Sequence, residues 1–381
     1  MRKKILSAGQ TRSVIGTFLV GSSLVAGASV VASRDTWFTV ILGFLFSIPM
    51  MAVQTGILNL YPGRSYYGNI LRVYGRIGGR IVLVLLLFYS LHLGGLVLRE
   101  FSEFIRIVNM TGTPLSAVGA CIVGVTAFVV GKRMFVVARV SKFVFPLIAG
   151  SISLTALLAI KDMDFTNIQP MLQSSVPDLA RGGLVLFSLP FGELTACAPV
   201  FRDLDAREKI FPVFLRGGIG GFLLLLVANL RNMLVLGYSS QIFPFASYQT
   251  VSVIMYGEFF TRIEVLIGIN LLLAGFIKVC VLTFSAASAC AELFGMEDYV
   301  PFVVPCSMMI FTISIALHAN TDEMYGWLDY TIIYSLPFQV FIPVLTLLLG
   351  LLQKRGSKRK RTPRPRDRRH SGQPGRAAPQ P

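Results

Sequence analysis

The chain has 381 residues and a formal net charge of +16 at pH 7. Hydrophobic residues make up 54% of it and charged residues only 14%, with a mean hydropathy of +0.68. Because a soluble domain carries about a quarter charged residues, this composition excludes a soluble globular protein and predicts an integral membrane protein.

Residues 13–352 contain ten apolar segments, each about as long as a membrane-spanning helix. The segments cover residues 13–31, 37–58, 81–99, 115–130, 143–160, 182–200, 211–236, 263–291, 301–317 and 328–352. This pattern predicts an all-α polytopic membrane protein with ten transmembrane helices. Segment 263–291 exceeds what a bilayer core of about 30 Å requires, so we expect this helix to tilt, kink or protrude.

Basic residues are concentrated in alternate loops. Segments 1–12, 59–80 and 131–142 each carry four Lys or Arg residues and no acid. Because cytoplasmic loops are enriched in Lys and Arg, we predict that both termini are cytoplasmic. Loop 292–300 is acidic although this orientation places it in the cytoplasm, but acidic residues have little weight in the rule.

Residues 353–381 follow the last span as a separate basic segment. They contain eleven Lys or Arg residues and one Asp, which supply +10 of the net charge of +16. Such a segment cannot bury a core, so we predict a disordered cytoplasmic tail. Basic residues beside a membrane gain about 1 kcal/mol each from anionic lipid. We therefore predict that the tail lies on anionic lipid, and we expect no nucleic-acid binding.

The first span is interrupted near its middle by Gly21-Ser22-Ser23, and Gly27 follows in its second half. Glycine lets a ligand approach the backbone closely, and an unwound helix frees N–H groups that suit a carboxylate. Small residues also allow close contact between membrane helices. Gly21, Ser22, Ser23 and Gly27 are therefore candidate ligand-binding residues, and they are equally compatible with helix packing.

The span at 182–200 is interrupted by the segment Leu189-Pro190-Phe191-Gly192-Glu193. Pro190 removes a backbone donor and disfavours a continuous helix, while Phe191 is placed to cover a bound side chain. Helix breaks persist inside a membrane only where they are buried in protein or line a cavity. A pair of breaks, one in each half of the chain, predicts a ligand site near the bilayer midplane.

Two charged residues lie deep inside apolar spans. Glu193 follows the second break, where it is placed to meet a ligand's ammonium group, to take up a proton, or to bond freed backbone N–H groups. Lys278 lies deep in the span 263–291, where an unpaired ammonium costs about 2.5–3.5 kcal/mol on insertion scales. We predict that Glu193 is its partner. Arg231, late in the seventh span, is expected to extend its charge to the membrane surface.

Two serines complete the candidate pocket. Ser285 and Ser288 share one helix face with Lys278, so they either line the pocket or bond to a neighbouring helix. The three histidines are scattered, the five cysteines have no metal-ligand spacing, and there is no phosphate-binding loop. We therefore predict no enzymatic activity, no cofactor and no metal site.

Several local patterns occur in a characteristic order along residues 8–350. They are Asp35-Thr36-Trp37, Tyr61-Pro62-Gly63-Arg64, Tyr74-Gly75-Arg76-Ile77-Gly78-Gly79, Leu98-Arg99-Glu100-Phe101-Ser102-Glu103-Phe104-Ile105, Thr113-Pro114, Ala138-Arg139, Leu189-Pro190-Phe191-Gly192-Glu193, Phe260-Thr261-Arg262-Ile263-Glu264 and Phe276-Ile277-Lys278. This ordered set resembles the B-subunit family of spore germinant receptors, the GerA-type integral-membrane subunit. One departure is Arg133-Met134-Phe135, which stands where the resemblance leads us to expect Gly-x-Glu.

The resemblance implies both a fold and a function. The family belongs to the amino acid–polyamine–organocation transporter superfamily, which implies a LeuT-like fold of two inverted five-helix repeats, here residues 13–160 and 182–352. Helices one and six are unwound in that fold. The implied function is a nutrient germinant receptor subunit in the spore inner membrane. It would bind a small molecule, most readily an amino acid, and work with an A-type membrane subunit and a C-type lipoprotein.

A proton-coupled amino-acid transporter is the alternative function on the same scaffold. In proton-coupled relatives of the superfamily, a fifth-helix lysine can replace the sodium ion, and Lys142 is the candidate for that role here. Under either function, we expect Glu193→Gln to lower sensitivity to the ligand while the protein still folds.

Overall fold

The structure is a computed structural model that describes residues 5–23, 33–108, 110–241, 243, 245–253, 264–318, 323, 326 and 330–359. Apart from 3₁₀ and π turns and one isolated β-bridge, its regular structure in these ranges is α-helical. The helices are α1 (Ala8–Ser23), α2 (Thr36–Leu58), α3 (Tyr66–Val108), α4 (Leu115–Gly131), α5 (Met134–Leu158), α6 (Val176–Leu186), α7 (Ile210–Leu236), α8 (Ala246–Ser252), α9 (Glu264–Leu293), α10 (Val303–Ala316), α11 (Thr331–Leu336) and α12 (Ile342–Arg359).

The described helices are those of a multi-pass membrane protein. Seven helical stretches in the described ranges are long and apolar enough to cross a bilayer, and the stretches Leu115–Gly131 and Val300–Ala316 are shorter apolar helices. α1 has sixteen residues, and its residues 13–23 lie in the first predicted span. The prediction of an all-α multi-helix membrane protein is therefore confirmed, and the number ten remains a prediction.

The sixth predicted span is broken where its sequence indicated. Ser175 caps α6 by accepting a hydrogen bond from the backbone N–H of Asp178 at 3.3 Å. After α6 ends at Leu186, Leu189 adopts an extended conformation (φ −145°, ψ 107°), and a 3₁₀ segment then runs over Gly192–Asp203. Pro190 cannot donate a backbone hydrogen bond, so the helical ladder is not maintained across this point.

The first predicted break, at Gly21-Ser22-Ser23, is not a helix break among the described residues. Gly21, Ser22 and Ser23 are still helical and form the end of α1. The structure describes only the backbone of Ser22 and Ser23. Gly27 and the rest of the predicted first span lie outside the described residues.

α1 occupies the centre of the bundle. It packs against α5, α7 and α9 and touches the broken segment that follows α6. Ile15, Phe18 and Leu19 are fully buried, as expected for a helix that is apolar on most of its surface. α3 packs on α9 and α10, while α2 packs on α6 and α7. The described part of the first predicted span and the broken sixth span therefore face one shared interior.

The loops divide between two faces of the bundle. On one face, Leu6 donates its backbone N–H to the carbonyl of Asp203 at 2.7 Å, and Arg133 forms an ion pair with Asp298 at 2.8 Å. Lys354, near the end of α12, bonds to the carbonyl of Asn59 on the same face. The acidic loop 292–300 therefore lies on the same side as the basic loop 131–142, as the predicted topology requires.

On the opposite face, the carboxylate of Asp35 accepts backbone hydrogen bonds from Leu172 at 2.7 Å and Ser174 at 2.9 Å. The backbone N–H of Asp164 donates to the carbonyl of Leu234 at the end of α7. At the carboxyl end of the chain, α12 continues to Arg359, so the first seven residues of the predicted tail 353–381 are helical. Residues 360–381 lie outside the described residues.

Candidate functional site

Glu193 and Lys278 form an ion pair inside the bundle. Lys278, on α9, donates to Oε2 of Glu193 at the start of the 3₁₀ segment. The side chain of Lys278 is 0% exposed and that of Glu193 is 1% exposed. The predicted partnership is therefore present in the structure. Bringing two charges out of water costs several kcal/mol per ion, and direct pairing offsets much of this cost.

α1 closes over the lysine. The ammonium of Lys278 lies 4.9 Å from the centre of the Phe18 ring, in cation–π geometry. A Cβ on Gly21 would lie 2.9 Å from Cδ of Lys278 and 3.3 Å from the carbonyl oxygen of Ala274. Only glycine allows this approach between α1 and α9 without displacement. Gly21 therefore makes the close helix contact that was one of its two predicted roles, and a role in ligand binding stays a prediction.

The break after α6 is held by Gln339, which lies in the turn between α11 and α12. Its amide nitrogen donates to the carbonyl of Ser188 at 2.8 Å and to the hydroxyl of Tyr89 at 2.9 Å. A Cβ on Gly192 would overlap the amide of Gln339. Gly192 thus admits Gln339 to the broken segment, and the freed carbonyl of Ser188 finds a buried donor.

One oxygen of the buried carboxylate receives no hydrogen bond from the described residues. Oε1 of Glu193 is fully enclosed and has no donor among them, although Oε2 is occupied by Lys278. The amide oxygens of Gln54 and Gln339 are in the same state. A buried acceptor without a donor costs about 1–3 kcal/mol, so the interior of the bundle retains acceptor capacity for an incoming N–H or O–H donor.

The remaining predicted pocket residues of the broken segment pack as hydrophobic contacts. Phe191 is 1% exposed and its ring meets that of Phe44 edge-on at 5.5 Å and that of Phe222 at 6.3 Å. Phe191 therefore joins the 3₁₀ segment to α2 and α7. Pro190 is buried and Leu189 is half-buried at the break.

The two serines of α9 differ from each other. The hydroxyl of Ser285 lies 2.7 Å from that of Tyr67 and 3.1 Å from that of Ser90, so it joins α9 to α3. This contact corresponds to the packing alternative in the sequence analysis. The hydroxyl of Ser288 is buried and has no hydrogen-bond partner within the described ranges. A role of Ser288 in ligand binding stays a prediction.

Two further charged residues differ in burial from the prediction. Lys142 is exposed on α5, close to the helix end on the face that carries the termini, so it is not a buried charge. Its coupling role, which the resemblance implied, stays a prediction. Arg231 does not reach the membrane surface: it is 1% exposed, because Thr155 and Asn232 bind its guanidinium inside the bundle.

Sequence reasoning missed a second buried charge cluster. Arg99 pairs with Glu103 at 2.9 Å one turn further along α3, and Arg106 pairs with the same carboxylate at 2.7 Å. The i, i+4 spacing of Arg99 and Glu103 indicates such a pair on a helix. Gln339 and Tyr89 were missed as well, because a neutral polar residue in an apolar span is common and its partner lies on a distant helix.

A large cavity opens on the face that carries the termini. Its volume is about 870 Å³. Charged and polar side chains of the α2–α3 loop, the segment after Val200 and the end of α9 line it, among them Arg64, Ser65, Arg202, Asp205, Glu208 and Glu292. Neither Glu193 nor Lys278 lies in its lining. The buried ion pair is therefore closed off from this cavity.

Comparison with known proteins gives a consistent family. The family described as "Spore germination protein" (Spore_permease) matches residues 5–323. Spore germination protein KB of Bacillus subtilis (strain 168) is 26% identical over 364 residues, covering 93% of this chain and 97% of that protein. Putative spore germination protein YfkT of the same organism is 21% identical over 322 residues, covering 84% of this chain and 87% of the relative.

A solved transporter has a similar structure. It is Mhp1, a nucleobase-cation-symport-1 family transporter, in a closed conformation with bromovinylhydantoin bound. The TM-score is 0.68 at 11% sequence identity, and the match covers 90% of this chain and 78% of Mhp1. At this identity the likeness concerns the fold alone. It confirms the LeuT-like fold class, while the arrangement as two five-helix repeats stays a prediction.

Proposed function

The chain belongs to the Spore_permease family of spore germination proteins, and from this premise we propose that it is the integral-membrane subunit of a nutrient germinant receptor. The ligand is a small molecule with an ammonium and a carboxylate group, that is, an amino acid. Its site is the buried region between α1, the segment after α6, and α9, around Glu193 and Lys278. The protein has no enzymatic role in this proposal.

The observation that carries the proposal is the half-satisfied carboxylate of Glu193. Oε2 is bound to Lys278, whereas Oε1 is buried and receives no hydrogen bond from the part of the chain that the structure describes. A ligand ammonium supplies three N–H donors and a positive charge, which suit this oxygen. A ligand carboxylate suits the ammonium of Lys278. An amino acid thus offers an ammonium group to Glu193 in place of Lys278, and a carboxylate to Lys278 in place of Glu193.

The charge pair therefore defines two states of the receptor. Without ligand, Glu193 and Lys278 neutralise each other and the interior is closed. An amino acid that inserts between them exchanges one internal ion pair for two ligand contacts, which moves α9 and the broken segment relative to each other. The resulting population shift can be no larger than the difference in ligand affinity between the two states.

We propose the predicted topology as the setting of this site. Ten helices form two inverted repeats, residues 13–160 and 182–352, with both termini in the cytoplasm and the protein in the spore inner membrane. The loops joined by Arg133 and Asp298 then lie in the cytoplasm, and Asp35 lies on the outer side. The basic tail, residues 353–381, lies against anionic lipid.

Partner subunits convert the change at the site into germination. The similarity to spore germination protein KB supports membership of a receptor complex. We propose an A-type membrane subunit and a C-type lipoprotein as the partners. The cavity beside Arg64 and Glu292 is lined by the end of α9 and by the segment after Val200. Both continue from the proposed site, so a partner bound at this cavity would sense their movement.

A proton-coupled amino-acid transporter is the second candidate. The fold shared with the transporter Mhp1 supports it, because the same scaffold serves alternating access. In this function, Glu193 takes up the coupled proton and releases Lys278 when it does so. Transport and sensing differ in whether the ligand leaves on the other side, and net uptake is the measurable difference between them.

The test is nutrient-triggered dipicolinate release from spores that lack the gene, screened with single amino acids and sugars. We expect loss of the response to one amino acid, restored by the gene. Normal responses to every nutrient, together with uptake of a labelled amino acid by vesicles containing the purified protein, would overturn the receptor function in favour of transport.

A further inference from the structure

Arg231 on α7 has the bulkiest of the fully buried side chains in the described ranges, with an exposed fraction of 1%. A guanidinium stays protonated in proteins, so this side chain carries its positive charge into the interior. Removing such a charge from water costs several kcal/mol unless an anion compensates it. The surroundings of Arg231 therefore indicate whether the protein itself supplies that anion.

Among the described residues, the groups that accept hydrogen bonds from the guanidinium are neutral. Nη1 donates to the hydroxyl of Thr155 at 2.7 Å, and Nε and Nη2 both donate to the amide oxygen of Asn232, at 3.2 and 2.8 Å. None of the ion pairs between described residues includes Arg231. These three bonds use three of the five N–H donors of an arginine, which leaves two for another acceptor.

The groups around Arg231 are themselves held in place. The hydroxyl of Thr155 donates to the carbonyl of Ile152, so its oxygen is oriented toward the guanidinium. The amide nitrogen of Asn232 donates to the hydroxyl of Ser247 on α8 at 2.8 Å. Residues of α5, α7 and α8 thus hold the arginine, because each group that binds it is itself hydrogen-bonded to another residue. This fixed cationic group is typical of a prepared binding site.

The cluster is separate from the Glu193–Lys278 site. It lies toward the ends of α5 and α7 that belong to the face of Asp35, where the carbonyl of Leu234 binds the loop residue Asn167 at 3.0 Å. The cavity lined by Arg64 and Glu292 belongs to the opposite face. An anion reaching Arg231 therefore comes from the side opposite the termini.

We propose that Arg231 is the centre of a second ligand site, which binds the carboxylate of a small organic anion at the α5–α7–α8 junction. A carboxylate is the class that fits, because its two oxygens match two N–H groups of a guanidinium in one plane. The bound anion supplies the charge that the described residues lack. This inference does not depend on the function proposed for Glu193 and Lys278.

The experiment measures the apparent melting temperature of the purified full-length protein in detergent. Sodium acetate, chloride and methanesulfonate are compared at constant pH and matched ionic strength. We expect acetate to raise the melting temperature of the wild type in a dose-dependent way, since a ligand stabilises the state that binds it. An equal rise in chloride would overturn the assignment to carboxylates, and no rise in any salt would overturn the site.

Variants locate the effect. Arg231→Met should abolish the acetate shift, and without acetate it should melt no lower than the wild type, because it removes an uncompensated buried charge. The matched control is Arg216→Met, at an exposed position of the same helix, which should keep the shift. The double variant Glu193→Gln/Lys278→Met should keep it as well. Loss of the shift in that double variant, with retention in Arg231→Met, would refute the proposal.

A further pair of variants tests an internal counter-charge. Glu258 lies outside the described residues and is an acid on the same side of the predicted topology. If it neutralised Arg231, then Glu258→Gln and Arg231→Met would each lower the melting temperature in every salt, and combining them would restore it. That result would contradict the anion site. Arg231→Lys keeps the charge and is the variant to use if Arg231→Met does not accumulate.

Discussion

The charges of Glu193 and Lys278 were detectable in the sequence because each is a charged residue deep inside a long apolar span. The structure adds what a linear pattern cannot contain: which oxygen of the carboxylate is occupied and which is not. It also adds Gln339 and Tyr89, whose importance depends on partners from distant helices. At the scale of single residues, the sequence therefore predicts which buried residues carry a charge, but it does not predict which of their atoms form hydrogen bonds.

The ion pair changes the expectation for single substitutions at these positions. Glu193→Gln removes the carboxylate that neutralises Lys278, so the single variant should be less stable by about 3–5 kcal/mol, the cost of breaking a buried pair from one side. The double variant Glu193→Gln/Lys278→Met should recover most of this loss. The apparent melting temperatures of the purified proteins are the measurement.

Exposed Glu208 supplies the control for this cycle, and Glu208→Gln should be neutral. A double variant whose loss equals the sum of the two single losses would show that the residues act independently, in conflict with a buried pair. Whether Glu193→Gln still folds, as expected from the sequence, therefore depends on whether the protein tolerates this loss of stability.

Arg133 provides a second test at this scale. It precedes α5 with φ 89° and ψ 149°, a region that only glycine adopts readily, and its side chain pairs with Asp298. Such strain costs about 1–3 kcal/mol, whereas a half-exposed ion pair contributes about 0.2–1 kcal/mol. Arg133→Gly should therefore leave the melting temperature unchanged or raise it. The resemblance also led us to expect glycine at this position.

The comparison variant for Arg133 is Asp298→Asn, which removes the ion pair and retains the strained backbone. It should melt slightly lower than the wild type, in contrast to Arg133→Gly. If both variants were destabilised to the same extent, the ion pair would dominate over backbone strain at this loop, and the account of the α4–α5 connection would be wrong.

At the scale of elements, hydropathy located the apolar part of each helix and missed its extensions. The third span was predicted as residues 81–99, whereas α3 covers Tyr66–Val108 with a kink at Gly75, where φ is 75°. The extra turns carry arginines that a hydropathy pattern rejects. The break after α6 was predictable because Pro190 is a local cause, whereas the contact between α1 and α9 depends on tertiary packing at Gly21.

Gly21→Ala tests that contact. The added methyl would lie 2.9 Å from Cδ of Lys278 and 3.0 Å from its Cβ, so the lysine or α1 must move. We expect a loss of about 1–3 kcal/mol of stability, as is typical of overpacking, together with a weaker germination response. The measurements are the melting temperature and the nutrient concentration that gives half-maximal dipicolinate release.

Gly124→Ala is the matched control on α4, because nothing lies within 4 Å of a Cβ added there. It should be neutral in both measurements, or slightly stabilising through the higher helix propensity of alanine. If Gly21→Ala and Gly124→Ala behaved alike, the close approach of α1 to Lys278 would not contribute to stability or to the germination response.

At the scale of the whole molecule, the loops of each face are joined to one another. On the face opposite the termini, Asp35 is 1% exposed and binds the loop of Leu172 and Ser174. Burial alone would raise its pKa, but hydrogen bonds from Ser174, Leu172 and Gln173 outweigh this and hold the pKa below its ordinary value of 3.8. The charged form is therefore bound more strongly in the folded protein.

This shift gives a pH dependence with a definite sign. A carboxyl whose folded-state pKa is lowered contributes stability above its unfolded pKa, and the contribution is lost as the pH falls through the folded value. Below pH about 4, the melting temperature of the wild type should therefore fall more steeply than that of Asp35→Asn. Asp162→Asn, at an exposed position, is the control. Parallel curves for wild type and Asp35→Asn would show that the hydrogen bonds to the Asp35 carboxylate do not stabilise the fold.

The most direct test of the central claim is a germination dose response with the double variant Glu193→Gln/Lys278→Met. Spores that lack the gene are complemented with wild type or variant, protein amounts in the spore membrane are matched by immunoblot, and dipicolinate release is measured against amino-acid concentration. The account predicts that the variant accumulates but that its response to the amino acid restored by the wild type is lost or shifted to much higher concentration. An unchanged dose response would show that the buried pair is not the ligand site.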